Sequence, residues 1–307
     1  MKPSVITIAT RKSPLALWQS EFIKRKLISH HPHLTVDLMP FSTKGDEILD
    51  KSLAKIGGKG LFIKELEKAL QEELSDLAVH SMKDMPAQMP DGFKLAAILP
   101  RANASDAFVS NQYRHPSELP EGAVVGTSSL RRQSQLLRAY PHLKVEPLRG
   151  NVGTRLDKLD SGMYSAILLA SAGLERLGLK ERIRYEFSIE EMLPAVAQSV
   201  LGIEISEHNE RIMPFLRVLN DRSTATLVAA ERACAARLNA SCQSALGVFA
   251  QPVKDAGSAN LHLQAVLLSP DGKQCLRAEQ VGNMNEATVI GQAVAEQLLA
   301  QGGQSLL

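Results

Sequence analysis

The fold is decided by Val5-Ile-Thr-Ile-Ala-Thr-Arg-Lys-Ser-Pro-Leu-Ala-Leu-Trp18, which predicts a strand, a short basic loop and a helix. Val5–Ala9 is mostly β-branched and is predicted to be a buried strand. The helix should run to about Ser29, with Ser13 as its N-cap and Pro14 in its first turn, where these residue types are favoured. Its apolar residues recur at helical spacing at Leu15, Trp18 and Phe22.

The same pattern returns in the second half of the chain, where a strand at Ala123–Thr127 precedes a helix to about Ala139. Three pairs of segments match in the same order: residues 5–29 with 123–139, 32–36 with 141–145, and 65–81 with 155–171. Three ordered matches favour a duplicated α/β lobe with mostly parallel sheets and helices on both faces. Such lobes typically bind a ligand in the cleft between them, at the carboxyl ends of strands.

The chain is expected to cross between the lobes near residues 100–105 and to return near 193–199. After Asp221 the pattern changes to a helix at Ser223–Leu238, three strands and a final helix at about Asn285–Ala300. Pro270-Asp-Gly272 predicts a hairpin turn between the last two strands. The predicted domains are lobe 1 at 1–99 with 200–217, lobe 2 at 105–193, and a small α+β domain at 222–307. The three strands are predicted at Ala245–Ala250, Leu261–Leu268 and Cys275–Val281.

Composition excludes several function classes. A formal charge of +2 and 4% aromatic residues argue against a nucleic-acid-binding module. The longest uncharged stretch, Leu238–Val253, is shorter than the ~20 residues that a membrane span needs. The three cysteines form no Cys-x-x-Cys pair, so neither a disulfide framework nor a metal site is expected. We expect a cytoplasmic location, where thiols stay reduced.

Basic residues recur just after predicted strands, and each taken singly reads as a solvated surface charge. As a set in corresponding loops of both lobes they favour a multiply charged anion held between the lobes, because arginine pairs well with carboxylates. The loops at 128–129 and 151–154 also open helices, whose N–H groups favour anions. The residues are Arg11, Lys83, Arg131, Arg132, Arg149 and Arg155.

Asp84 lies in the same basic surroundings, within His80-Ser-Met-Lys-Asp84. It is either a counter-ion for Lys83 or an arginine, or a carboxylate that faces a cation or moves a proton. The stretch from Lys55 to Gly60 is not a phosphate-binding P-loop, because Gly60 stands where Ser or Thr is required. It is either a lid that closes its lysines, Lys55 and Lys59, over an anion, or a plain flexible turn.

The three cysteines separate by position. Cys234 shares a helical stripe with Leu227 and Leu238 and is expected in the core, and Cys275 is expected to pack within a strand. Cys242 follows a helix end among small polar residues, where a thiol is accessible and can be nucleophilic. A functional role for Cys242 is left open by the residues alone.

From Ile6 to about Leu298 the chain resembles a known family, porphobilinogen deaminase. Five motifs in family order carry the resemblance: Ala9-Thr-Arg-Lys-Ser-Pro-Leu-Ala-Leu-Trp18, Gly57-Gly-Lys-Gly-Leu-Phe62, His80-Ser-Met-Lys-Asp84, Gly126-Thr-Ser-Ser-Leu-Arg-Arg132 and Leu148-Arg-Gly-Asn-Val-Gly-Thr-Arg155. The resemblance implies three domains, two of them like type II periplasmic binding proteins. It also implies a monomeric transferase that joins four porphobilinogen units into hydroxymethylbilane and releases ammonia at each addition.

The resemblance further implies a dipyrromethane cofactor fixed by a thioether to Cys242, and Asp84 as the catalytic residue. Each pyrrole carries an acetate and a propionate, so arginines are expected to offset the charge of the growing chain. The product is expected to pass to uroporphyrinogen-III synthase. Cofactor contacts are implied for Lys83, Ser129, Arg131, Arg132, Asp46 and Gly173, and substrate contacts for Arg11, Ser13, Arg149, Arg155 and Arg176.

The chain departs from the family pattern in two places. The glycines usual before the anchoring cysteine are Ala240 and Ser241, and the proline usual after it is missing from residues 243–245. The family's Gly-Gln-Gly near the lobe return is Ala197-Gln198-Ser199. The alternative function is a two-lobed anion carrier or sensor without catalysis, which would need neither Cys242 nor Asp84.

Overall fold

The computed structural model describes residues 5–43, 63–241, 244–255 and 258–307. The strands are β1 (Val5–Arg11), β2 (Thr35–Phe41), β3 (Leu77–Ser81), β4 (Phe93–Ile98), β5 (Asp106–Val109), β6 (Val124–Gly126), β7 (Lys144–Glu146), β8 (Ala166–Ala170), β9 (Tyr185–Glu186), β10 (Leu201–Ser206), β11 (Leu246–Asp255), β12 (Ser258–Leu268) and β13 (Cys275–Asn283). The helices are α1 (Pro14–His30), α2 (Lys64–Gln71), α3 (Leu130–Ala139), α4 (Val152–Asp160), α5 (Ser171–Arg176), α6 (Met213–Leu216), α7 (Arg222–Arg237) and α8 (Ala287–Ala300). None of the helices within these described ranges is long and apolar enough to span a membrane.

The chain divides into two compact units. The first comprises Met1–Arg101 and Val200–Ala225, and the second Ala102–Ser199 and Thr226–Leu307. The first unit holds a five-stranded sheet in the order β2-β1-β3-β10-β4. In it β1 runs parallel to β2 and β3, whereas β10 is antiparallel to both of its neighbours.

The second unit repeats this topology in the order β7-β6-β8-β5-β9. Here β6 runs parallel to β7 and β8, and β5 is antiparallel to both of its neighbours. In each sheet the fourth strand in order therefore opposes the other four. The prediction of duplicated α/β lobes is confirmed, and the sheets are mostly parallel in strand direction with one reversed strand each.

Helix α1 shows how local sequence sets these elements. Ser13 is its N-cap, and the hydroxyl accepts a hydrogen bond from the Ala16 N–H, with Pro14 as the first helical residue. The face that packs on the sheet contains Ile23 and Leu27, which are fully buried. Trp18 and Phe22 are only half-buried and stack on each other with ring centroids 5.3 Å apart. The aromatic spacing thus predicted the helix but not the face that enters the core.

The second unit also contains a three-stranded antiparallel sheet, β11-β12-β13, and the packed helix α8. The predicted turn at Pro270-Asp-Gly272 joins β12 to β13, and Gly272 has a φ of 73°, which glycine adopts without strain. This small α+β substructure is the one that the sequence predicted at the C-terminus.

Candidate active site

The predicted residues of the first unit lie where its strands end. Arg11 is the last residue of β1 and is half-buried, and Ser13 caps the helix that follows. Lys83 and Asp84 lie in a short 3-10 turn, Met82–Asp84, directly after β3. The Asp84 side chain is exposed and has no hydrogen bond or ion pair with any residue in the described part of the chain. The turn therefore presents an uncommitted carboxylate.

Three contacts hold this turn in place. The Gln19 amide donates to the Ser81 hydroxyl at 2.9 Å, and the Met82 N–H donates to the Val200 carbonyl at 2.9 Å. The Met85 N–H closes the turn on the Met82 carbonyl at 3.2 Å. Helix α1 and the residue before β10 thus fix the backbone that carries Asp84.

In the second unit Arg131 and Arg132 point into the protein. They occupy the first turn of α3 and are 4% and 6% exposed. Both bind the fully buried carboxylate of Asp106: Nη1 of Arg131 lies 2.6 Å from Oδ2, and Nη2 of Arg132 lies 2.7 Å from Oδ1. Arg131 also donates to the Leu193 carbonyl at 2.8 Å. The two guanidinium groups are therefore held rigidly by one carboxylate.

The electrostatics of this cluster leave a positive excess, since two guanidinium cations share one carboxylate. Burial raises the pKa of Asp106, but the charges and hydrogen bonds of Arg131 and Arg132 outweigh it and hold that pKa far below its usual range. Burial lowers the pKa of Arg131. Its Nε is buried and has no hydrogen-bond partner among the described residues. A cluster with this charge and a spare donor suits an anionic ligand.

The segment before β10 is tied to the same cluster. The buried Gln198 side chain accepts from Arg131 at 3.2 Å and donates to Asp106 at 3.0 Å. Arg176, at the end of α5, donates to the Ser199 carbonyl at 2.9 Å, and burial lowers its pKa. Ala197 and Ser199 have φ angles of 55° and 67°, a left-handed backbone that favours glycine. This explains the glycines of the motif from which the sequence departs.

The other predicted residues of the second unit lie at helix starts. Ser129 is the N-cap of α3 and Asn151 is the N-cap of α4, so these caps satisfy part of the N–H groups that were expected to face an anion. Arg149 is half-buried and its guanidinium has no partner among the described residues. Nε of Arg155 donates to the Gly150 carbonyl at 2.8 Å. Gly173 is buried within α5.

Comparison with known proteins gives two matches to family descriptions. “Porphobilinogen deaminase, dipyromethane cofactor binding domain” matches residues 6–214, and “Porphobilinogen deaminase, C-terminal domain” matches residues 225–300. The chain belongs to the porphobilinogen deaminase family. It is a transferase of tetrapyrrole biosynthesis, a hydroxymethylbilane synthase that uses porphobilinogen, and this decides against the carrier or sensor.

Individual relatives agree with this assignment. The porphobilinogen deaminase of Chromobacterium violaceum is 51% identical over 302 residues, which cover 98% of this chain and 96% of that protein. The enzyme of Thiobacillus denitrificans is 52% identical over 98% of this chain and 97% of its own length. Among solved structures, the methionine-binding protein MetQ overlaps with a TM-score of 0.47 at 14% identity, covering 75% of this chain and 95% of that one. The fold itself rests on the strand orders given above.

The residues present fit the acidic cofactor that the family description names. The buried pair Arg131 and Arg132 carries one positive charge more than Asp106 neutralises, and Nε of Arg131 donates to none of the residues that the structure describes. Four site predictions, Asp46, Lys55, Lys59 and Cys242, lie outside the described residues. Cys234 is fully buried, as predicted, and burial together with the charge of Glu231 raises its pKa to about 12. Cys275 is half-buried in β13.

Sequence reasoning missed two members of the site, Asp106 and Gln198. Asp106 opens the four-residue strand Asp-Ala-Phe-Val, and nothing in that stretch shows that the carboxylate is buried or that two arginines bind it. Gln198 was noticed only as part of a variant motif. The adjacent arginines Arg131 and Arg132 were the available signal. Two arginines at the start of a helix that packs into the protein require a carboxylate nearby.

Proposed function

We propose that Asp84 is the catalytic carboxylate in the joining of four porphobilinogen units to hydroxymethylbilane. The observation that carries this proposal is the exposed Asp84 side chain, which has no partner among the described residues, on a turn that three contacts hold in place. A free carboxylate can stabilise the cation that remains when porphobilinogen loses ammonia, and it can remove the ring proton after coupling. A carboxylate already paired to a lysine would do both less well.

The arginines and lysines are proposed to hold the carboxylates of pyrrole units. Arg11, Ser13, Arg149, Arg155 and Arg176 are assigned to substrate and to the growing chain. Arg149 supports this best, because its half-buried guanidinium has no partner among the described residues. Arg176 is largely desolvated, so a carboxylate bound there would form a strong charge-assisted pair. Lys55 and Lys59 are proposed to belong to a lid.

The cofactor is proposed to be attached by a thioether to Cys242, with Arg131, Arg132, Lys83, Ser129, Asp46 and Gly173 around it. The other two thiols support this choice by their positions. Cys234 is fully buried and its pKa of about 12 keeps it protonated, whereas the attacking species is the thiolate. Cys275 begins β13, an edge strand of the three-stranded sheet, and is half-buried against an apolar cluster.

The three-domain division at 1–99 with 200–217, 105–193 and 222–307 stays a prediction. We also infer that the protein is a cytoplasmic monomer and that it passes its product to uroporphyrinogen-III synthase. The family resemblance that the motifs carry supports this inference. Sedimentation velocity at micromolar concentration would test the monomeric state.

Replacing Asp84 by Asn tests the catalytic role. The amide has the same size but carries no charge, so we expect kcat to fall by about 100-fold or more while folding and cofactor content are kept. Steady-state ammonia release and circular dichroism measure the two properties. Near-normal turnover in Asp84→Asn would remove the residue from the mechanism.

The anchor is tested by intact mass and peptide mapping. Protein made in a porphobilinogen-producing host should carry the mass of a dipyrromethane on the peptide that contains Cys242. Cys242→Ser should lose that mass and all turnover, whereas the matched control Cys234→Ser should stay loaded. An adduct on Cys234, or product formation by Cys242→Ser, would contradict the assignment.

A further inference from the structure

The first unit contains a buried polar pair, one member of which, His80, lies four residues before Asp84. Nε2 of His80, on β3, is 2.8 Å from Oε2 of Glu204, on β10, and the two side chains are 5% and 0% exposed. In the antiparallel register His80 faces Gly202 and Glu204 faces Ala78, so both polar side chains project from the same face of the sheet. Nε2 of His80 donates this hydrogen bond when its proton is on Nε2 and Glu204 is ionised, because an ionised carboxylate only accepts.

The surroundings make this pair costly. Ala78 on the same face belongs to an apolar cluster with Leu66 and Leu70 of α2. The second oxygen of Glu204 is buried without a hydrogen-bond partner among the described residues. Burial and the charge of Glu204 raise the pKa of Glu67 on α2. A well-packed apolar pair would hold two strands together equally well, so the polar pair calls for a role other than cohesion.

The pair has a direct route to the turn that carries Asp84. His80 is the next-to-last residue of β3, and Met82 begins the turn by bonding to Val200, just before β10. A Cβ atom at Gly202 would overlap with Sδ of Met82, so the Met82 side chain packs directly against the Gly202 backbone here. The His80–Glu204 bond therefore fixes the register of β3 on β10 at the point where the turn leaves the sheet.

We propose that His80 is a positioning residue, which acts through its bond to Glu204 to place the Asp84 carboxylate for the reaction. The inference rests on the proposed role of Asp84. Because a small misplacement of a catalytic group costs rate far more than it costs binding, loss of the bond should lower kcat and leave KM nearly unchanged.

Two amides that differ only in reach test the proposal. His80→Gln places a donor where Nε2 lies and should keep kcat within about threefold, whereas His80→Asn is too short to reach Glu204 and should lower kcat by about tenfold or more. KM for porphobilinogen should stay within about twofold in both. The control Val79→Ala, a buried change on the same strand, should lower stability without lowering kcat. Cofactor mass and circular dichroism are measured for each.

Equal kcat values for the two amides would overturn the inference. If His80→Asn does not fold, the same reach test is made from the other side: Glu204→Asp shortens the carboxylate and must lower kcat, and unchanged kcat would overturn it. Asp84→Asn is assayed in parallel. A large loss of turnover in Asp84→Asn, with equal kcat values for His80→Gln and His80→Asn, rejects only the role of His80. Normal turnover of Asp84→Asn rejects the proposed function.

Discussion

The two lobes each carry one fully buried carboxylate on the reversed strand, and the two carboxylates have different partners. On β10 Glu204 meets a single imidazole, that of His80, whereas on β5 Asp106 meets two guanidinium groups. One-to-one pairing supplies no surplus of cations and leaves a geometric role. Two-to-one pairing leaves a positive excess, which prepares a surface for an anion. The same topological position thus serves positioning in one lobe and charge in the other.

Removing the shared carboxylate of the second lobe should have the largest effect on stability. Asp106→Asn leaves Arg131 and Arg132 buried without a counter-charge, so we expect the free energy of unfolding at neutral pH to fall by about 3–5 kcal/mol. Urea unfolding followed by circular dichroism measures the change. An effect below about 1 kcal/mol would mean that the two arginines are solvated and that the comparison fails.

The pH dependence of this loss of unfolding free energy follows from the direction in which the pKa of Asp106 is shifted. The folded pKa of Asp106 lies below its usual value, so its contribution is fully present above the ordinary Asp pKa and is lost as pH falls through the lowered pKa. The difference in unfolding free energy between wild type and Asp106→Asn should therefore stay constant from pH 7 to about pH 4 and decrease only in stronger acid.

Arginines without an internal carboxylate should affect the substrate and not the fold. Arg149→Leu removes one charge-assisted contact, worth roughly 1.5–3 kcal/mol at a desolvated site, and should weaken the use of porphobilinogen by about 10- to 100-fold in kcat/KM. The matched control is Arg182→Leu, which breaks the partly exposed pair with Asp160 and should change little. Equal kinetics for the two variants would support the view of Arg149 as a solvated charge.

The smallest expected effect concerns the segment next to Asp106. Ala197→Gly relieves a left-handed φ of 55° while the Ala197 N–H keeps its bond to Glu231, so unfolding free energy should rise by up to about 1 kcal/mol. Ala229→Gly, at an exposed position of α7, should lower it by about 1 kcal/mol instead. Thermal unfolding compares the two, and a fall for Ala197→Gly would show that the conformation is not strained.

Sequence reasoning predicted most elements near the bounds that the structure gives. The cap at Ser13, the turn at Pro270–Gly272 and the strand that begins at Cys275 are local, because each depends on residues a few positions apart. The reversed strand of each sheet was not predicted, because strand direction depends on which distant segment a strand joins. The inward direction of Arg131 was missed for the same reason.

The sequence by itself determined the family, the duplicated strand–loop–helix pattern and the identity of Asp84 as a candidate. Only the tertiary structure decided that Asp106 is buried between two arginines and that His80 binds Glu204. Asp106 is 25 residues from Arg131 and 92 from Gln198, and His80 is 124 residues from Glu204. Local preferences act over a few residues, whereas burial and charge pairing depend on contacts that exist only after the chain has folded.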